Sequence, residues 1–147
     1  MTDFEQQARI ALDAKSDTQR QLAAAATCPP WRHAAFGLLM GALIASPAFA
    51  TMTRFFVFAA IMVAILFIVR SDRKRMGMFV NGYRRGKTRI VAFAMLAIEL
   101  GLYSFATWRA LTFGDHVTPF VLAALGIVLG WIGSIIWQRV FVSELAA

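Results

Sequence analysis

The sequence predicts an all-α membrane protein, with four transmembrane helices arranged as two antiparallel hairpins and a further helix preceding them outside the bilayer. Two observations carry this. Apolar residues run together over 34–69, 90–111 and 117–142, each run longer than the roughly 18 residues that mark a membrane span. Between the first two runs, residues 71–89 form a basic island: Arg73, Lys74, Arg75, Arg84, Arg85, Lys87 and Arg89 stand against the single acid Asp72. Lys and Arg in short loops are retained in the cytoplasm, so the island orients everything around it.

Composition agrees with this class. The chain is 59% hydrophobic and 16% charged, against about 25% charged in soluble domains, and its mean hydropathy is +0.63. At 147 residues it is one domain by length. A net charge of +7 with a pI near 10.8 raises the question of nucleic acid. Thirteen of the 15 Lys and Arg, however, fall in segments assigned to one side of the bilayer, leaving Arg54 and Arg109 for the other. Topology accounts for the charge, and no direct nucleic-acid partner is expected.

Residues 1–30 read as a cytoplasmic helix and its terminator. Asp3 and Glu5 suit a helix start, the Ala/Gln/Leu-rich body has high helix propensity, and Pro29-Pro30 stops it. The apolar stripe of Phe4, Ala8, Ala11, Leu12, Leu22 and Ala26 is thin. Asp3, Glu5, Asp13 and Asp17 nearly balance Arg9, Lys15 and Arg20, unlike the Lys/Arg-rich polar face of a membrane-surface helix. The stripe therefore suggests a face for another protein or for a second copy of the chain, the alternative being a solvated tail. Cys28 is read as an inert residue at the helix end, and one cysteine forms no intrachain disulfide.

Residues 31–147 make the four-helix domain, with spans near 34–49, 53–69, 90–112 and 117–142 and a cytoplasmic loop at 70–89. Trp31, Arg32 and His33 suit the headgroup level. The 34–69 run would stretch about 54 Å as one helix, against a hydrocarbon core of about 30 Å, so it must turn once. Pro47, Thr51, Thr53 and Arg54 place that turn within 46–54. The fragment Ala45-Ser-Pro-Ala-Phe-Ala50 also has the spacing of a signal-peptidase site, but 33 acid-containing residues before the apolar run are long for a leader. Gly37 and Gly41, followed by Ala45, form a small-residue row that admits a close neighbour.

Within the basic loop, Asn81-Gly82 between apolar residues predicts a short β-hairpin presenting Tyr83, Arg84 and Arg85. The fragment Gly82-Tyr-Arg-Arg-Gly86-Lys87-Thr88 is one residue short of a phosphate loop and lacks the strand-loop-helix setting, so no nucleotide site is expected. Anionic lipid headgroups, at about 1 kcal/mol per basic residue near the surface, or an acidic partner suit it better; a topology anchor alone is the plain alternative.

The third span holds the one intramembrane acid, Glu99. An ionised carboxylate there costs a few kcal/mol, so such residues face protein or water and are functional candidates. On the fourth span Trp131 and Ser134 are expected at the depth of Glu99, within hydrogen-bonding reach of it. Gly126, Gly130 and Gly133 form a second close-packing row, a surface for helix packing or for a homo-oligomer. Catalysis needs a nucleophile with a base, paired carboxylates or a metal cluster. Two His, one Cys and one buried Glu assemble none of these, so no enzyme, metal or cofactor is expected.

The Pro-Pro-Trp before the first span and Asn-Gly-Tyr-Arg-Arg-Gly-Lys-Thr-Arg before the third resemble uncharacterised small bacterial four-helix membrane proteins. With the basic loop inside, four spans place both termini in the cytoplasm, and the expected role is that of a non-enzymatic anchor, scaffold or regulator with a cytoplasmic docking surface. The resemblance carries no established activity; it implies a bacterial inner-membrane companion of a cytoplasmic protein, such as a membrane-held transcriptional regulator. Four helices with one embedded glutamate also look like the small multidrug resistance family, which implies a proton-coupled transporter using Glu99. There the glutamate lies on the first helix; here it is on the third.

Overall fold

A computed structural model describes residues 3–25, 28–76 and 86–146. Their helices are α1 (Asp3–Ala25), α2 (Pro30–Ala45), a short 3-10 turn (Ser46–Ala48), α3 (Thr51–Met76), α4 (Lys87–Phe113) and α5 (Val117–Ala146). No strand occurs among the described residues. The expected hairpin at Asn81-Gly82 and its Tyr83, Arg84 and Arg85 lie outside them.

Three helices are long and apolar enough to cross a membrane: α3 over Thr51–Lys74, α4 over Lys87–Phe113 and α5 over Val117–Glu144. Each is apolar on faces that no other helix covers, with Phe55, Phe56 and Phe67 on α3, Leu100 on α4 and Val121 on α5 all exposed. Such surface fits lipid as its solvent. The 16-residue α2 is shorter than these.

Local chemistry sets the helix ends. Pro29 is extended and Pro30 opens α2, where a missing N–H costs nothing. Pro47 cannot supply the N–H that would continue α2, and the chain tightens into the 3-10 turn. Arg54 then donates to the carbonyls of Pro47 and Phe49 at 3.1 and 3.3 Å, satisfying acceptors freed by that break. Gly114, at φ 63°, ends α4 in the left-handed conformation that glycine adopts without steric cost.

The basic residues depart from the expected 70–89 loop. Nothing between Ser71 and Met76 breaks a helix, so α3 continues and carries Arg73, Lys74 and Arg75 on its last turns. Lys87 and Arg89 likewise stand on the first turn of α4.

α2 packs along α5 in the opposite chain direction. His33 meets Ser134, Gly37 meets Gly130, and Ile44 meets Gly126. Two rows of spacing four make this contact: His33, Gly37, Gly41 and Ala45 on α2, and Gly126, Gly130, Ser134 and Gln138 on α5. A methyl group at Gly37 would strike the Ile127 carbonyl at 2.5 Å and the Trp131 nitrogen at 3.2 Å, so the two backbones meet with nothing between them. α4 lies on another side of α5, with Met95 against Gly133. Ile44, Ala106 and Ala123 are the buried centre where α2, α4 and α5 converge.

Candidate functional site

Glu99 projects into that three-helix contact. It is 7% exposed, and neither carboxyl oxygen has a hydrogen-bond partner in the protein. Gly126 makes the room: a Cβ built there would lie 3.3 Å from Glu99 Oε2 and would also collide with Ile44. Three helices thus supply the site, the acid from α4, the gap from α5 and an apolar wall from α2.

The expected neighbours of Glu99 are elsewhere. Ser134 lies eight residues beyond Gly126, about 12 Å along α5, and its hydroxyl is bonded to His33 Nδ1 at 2.8 Å. Trp131 is 49% exposed, its backbone packed on Gly37. The glycine row reaches the level of Glu99, and the polar residues following it in the same row do not. Gly126 and Ile44 are the residues that sequence reasoning did not attach to Glu99.

Two polar clusters hold the end of the bundle that carries the basic residues. Arg32 Nη2 pairs with Asp72 at 2.7 Å, joining the start of α2 to the end of α3, while its Nη1 lies 2.9 Å from Cys28 Sγ. Glu144, near the end of α5, accepts from the Lys87 backbone N–H and from the Thr88 hydroxyl, the latter at 3.2 Å. A carboxylate over the first turn of a helix satisfies orphan N–H groups and complements the dipole. Gly86, at φ 153°, leads into that turn, and any side chain there would meet the Glu144 carboxylate. Gly86, Lys87 and Thr88, the described end of the stretch that resembles a phosphate loop, therefore receive an anion from their own chain.

Of the basic candidates, Arg73, Lys74, Lys87 and Arg89 are exposed. The Arg89 guanidinium lies 5.3 Å from the centre of the Phe93 ring. Among the described residues, no three His, Cys, Asp or Glu side chains gather as metal ligands.

At the opposite end, Asp115 is the hub. It accepts from Arg109 at 2.7 and 3.2 Å, from the amides of Val117 and Thr118 at 2.9 and 3.0 Å, and from the Thr118 hydroxyl at 2.5 Å. The Thr118 hydroxyl and amide, with Arg109 and the Val117 amide, hold its carboxyl well below the usual carboxylate range. His116 donates from Nδ1 to the Ala48 carbonyl at 3.1 Å, and Phe120 stacks edge-on with Phe49 at 5.7 Å, tying this loop to the turn after α2.

The described side chains of α1 are exposed, apart from the half-buried Ser16. Phe4 is 80% exposed, and Ile10 and Leu12 are also exposed. Its neighbour is α5.

The chain matches no protein-family model, no curated protein and no solved structure.

Proposed function

We propose that the chain is a non-enzymatic integral membrane protein that anchors or regulates a cytoplasmic protein, with α1 and the basic segment as its docking surface. The observation that carries this is the exposure of Phe4 and Leu12, two turns apart on one side of a helix that contributes little to the α2–α5 pack. Large apolar side chains on a helix outside the bundle are a surface for another protein's groove.

In this reading the membrane is crossed four times, by two helical hairpins, α2 with α3 and α4 with α5. The 16 residues of α2 reach about 24 Å and the 3-10 turn adds about 6 Å, together near the thickness of the hydrocarbon core. The pairing of α2 with α5 from His33–Ser134 to Ile44–Gly126 supports a full crossing, because a helix laid along a spanning neighbour shares its depth. Four crossings put α1, the basic ends of α3 and α4, and the C-terminus together, on the cytoplasmic side of a bacterial inner membrane by the charge rule. Arg73, Lys74, Lys87 and Arg89, with the loop residues Tyr83, Arg84 and Arg85, then lie at the headgroups, suited to anionic lipid or to an acidic partner such as a transcriptional regulator.

The test is photocrosslinking in cells from a reactive residue at Ala8, followed by identification of the product. A single cytoplasmic protein is expected, lost on Phe4→Ser with Leu12→Ser and weakened by Arg84→Ala with Arg85→Ala. Capture unchanged in both variants, or no capture, rejects the reading.

One observation favours a second reading, a proton-coupled transporter. Glu99 is buried with both oxygens unpartnered, and an acid so placed in a membrane helix is a candidate proton carrier. Glu99→Gln separates the two: a transporter loses substrate movement and keeps its fold, whereas a docking protein keeps its partner.

A further inference from the structure

α3 has two faces of opposite kind. Ile61 and Asp72 are buried on one, and Asp72 is paired there with Arg32 of α2. The other carries Met62, Leu66, Arg70 and Lys74, a row of step four in which every side chain is exposed. Val63 and Phe67 stand beside that row and are exposed as well. Asp72 is two residues from Arg70 and two from Lys74, almost half a turn around the helix, so the one acid of α3 does not lie among these cations.

The row changes character at one depth. Arg54, at the other end of α3, is bonded to the turn after α2. Arg70 lies about 24 Å along the helix from it and Lys74 about 30 Å, the thickness of the hydrocarbon core. One surface is thus apolar over the depth of acyl chains and cationic at the depth of phosphates. A soluble acidic protein would match Arg70 and Lys74 and leave Met62 and Leu66 uncovered within the bilayer. A second copy of the chain across a two-fold axis would set the same cations against themselves. An anionic phospholipid complements both parts of the row at once.

We infer that this face of α3 holds an anionic phospholipid, its phosphate against Arg70 and Lys74 and an acyl chain along Leu66 and Met62. This rests on the reading of the basic segment as a headgroup surface, and it gives that surface its occupant on α3. The lipid supplies contact that the protein does not, since Ile61 is the one buried hydrophobic side chain among the described residues of the helix.

The test uses the purified full-length chain, without partner, in vesicles of phosphatidylcholine. These carry an equal small fraction of phosphatidylglycerol or of phosphatidylcholine with a photoreactive acyl chain, and adducts are mapped to peptides by mass spectrometry. Adducts around Met62 and Leu66 are expected to favour phosphatidylglycerol by at least about fivefold, the effect of one cation at the surface. Arg70→Gln with Lys74→Gln is expected to bring the two lipids to equality, and Arg70→Lys with Lys74→Arg to keep the excess. Salt at about 1 M is expected to reduce the excess in the unaltered chain, a readout that needs no variant to fold. Equal labelling by the two lipids in the unaltered chain, or an excess that survives the paired Gln changes or the salt, overturns the inference. So does an excess removed by inorganic phosphate and not by chloride at the same ionic strength, which would make the site one for a free anion. No partner is present, so these outcomes leave crosslinking from Ala8 as a separate test of docking.

Discussion

Arg32 and Asp72 form a 2.7 Å ion pair that closes α2 onto α3 at the end of the bundle carrying the basic residues. Asp72 is buried, although it is the one acid within a run of bases. Its role is thus internal: it holds a helix that otherwise touches its neighbours lightly. Ile61 is the one buried hydrophobic side chain among the described residues of α3.

Asp72→Ala is expected to cost about 1–2 kcal/mol, between the value of a surface pair and that of a fully buried one. Thermal unfolding in mild detergent measures it. A double-mutant cycle with Arg32→Ala should show coupling between the two changes. Additive losses would mean that the pair contributes nothing.

The glycines differ sharply in what a methyl group would meet. Gly37→Ala is expected to destabilise by about 1–3 kcal/mol, because the obstacles are the Ile127 carbonyl and Trp131 nitrogen of a backbone that cannot step aside. Gly101 has open space around it, so Gly101→Ala should be neutral or stabilising by up to about 1 kcal/mol through helix propensity. Unfolding midpoints of the two variants, compared in one detergent, check both signs.

Glu144→Ala removes the carboxylate from the first turn of α4. A loss of about 0.5–2 kcal/mol is expected, as for other helix-start partners. Hydrogen exchange should locate the effect, with faster exchange at Lys87, Thr88 and Arg89 and little change at Glu99. Uniform acceleration along α4 would contradict a local cap.

Asp115 sets an acid limit on the opposite end. Its folded carboxyl titrates below the unfolded value of about 3.9, so its stabilisation is complete above that value and is lost as pH falls through the folded one. Asp115→Asn should therefore lower the melting temperature at neutral pH and remove part of its fall in strong acid. Parallel melting curves against pH for the two proteins would show the carboxylate to be idle.

How much is legible in the sequence depends on the kind of signal. Helices long and apolar enough to cross a membrane follow from run length, and the break at Pro47 follows from a missing N–H. The position of Gly37, Gly41, Gly126 and Gly130 in the α2–α5 contact also matches a pattern visible in one dimension. Pairings across helices are not legible, because they depend on the register between two helices. Depth alone places Glu99 beside Ser134, whereas the register set by the glycine row puts it beside Gly126 and gives Ser134 to His33. Extending both small-residue rows by one step of four, to His33 and to Ser134, exposes that pair. Glu144 gives no sequence signal, since its partner is the backbone of a distant helix start.

Docking through α1 requires that helix and the basic residues to share the cytoplasmic side, and so requires α2 to cross. Side-specific thiol labelling measures this in intact cells, with single cysteines at Ala11, Lys74, Thr51 or His116 in a Cys28→Ser background and a reagent that cannot pass the membrane. Labelling is expected at Thr51 and His116 and absent at Ala11 and Lys74 until the cells are opened. Labelling of Ala11 from outside together with Thr51 would mean that α2 does not cross, and would leave the proposed docking helix on the wrong side of the bilayer.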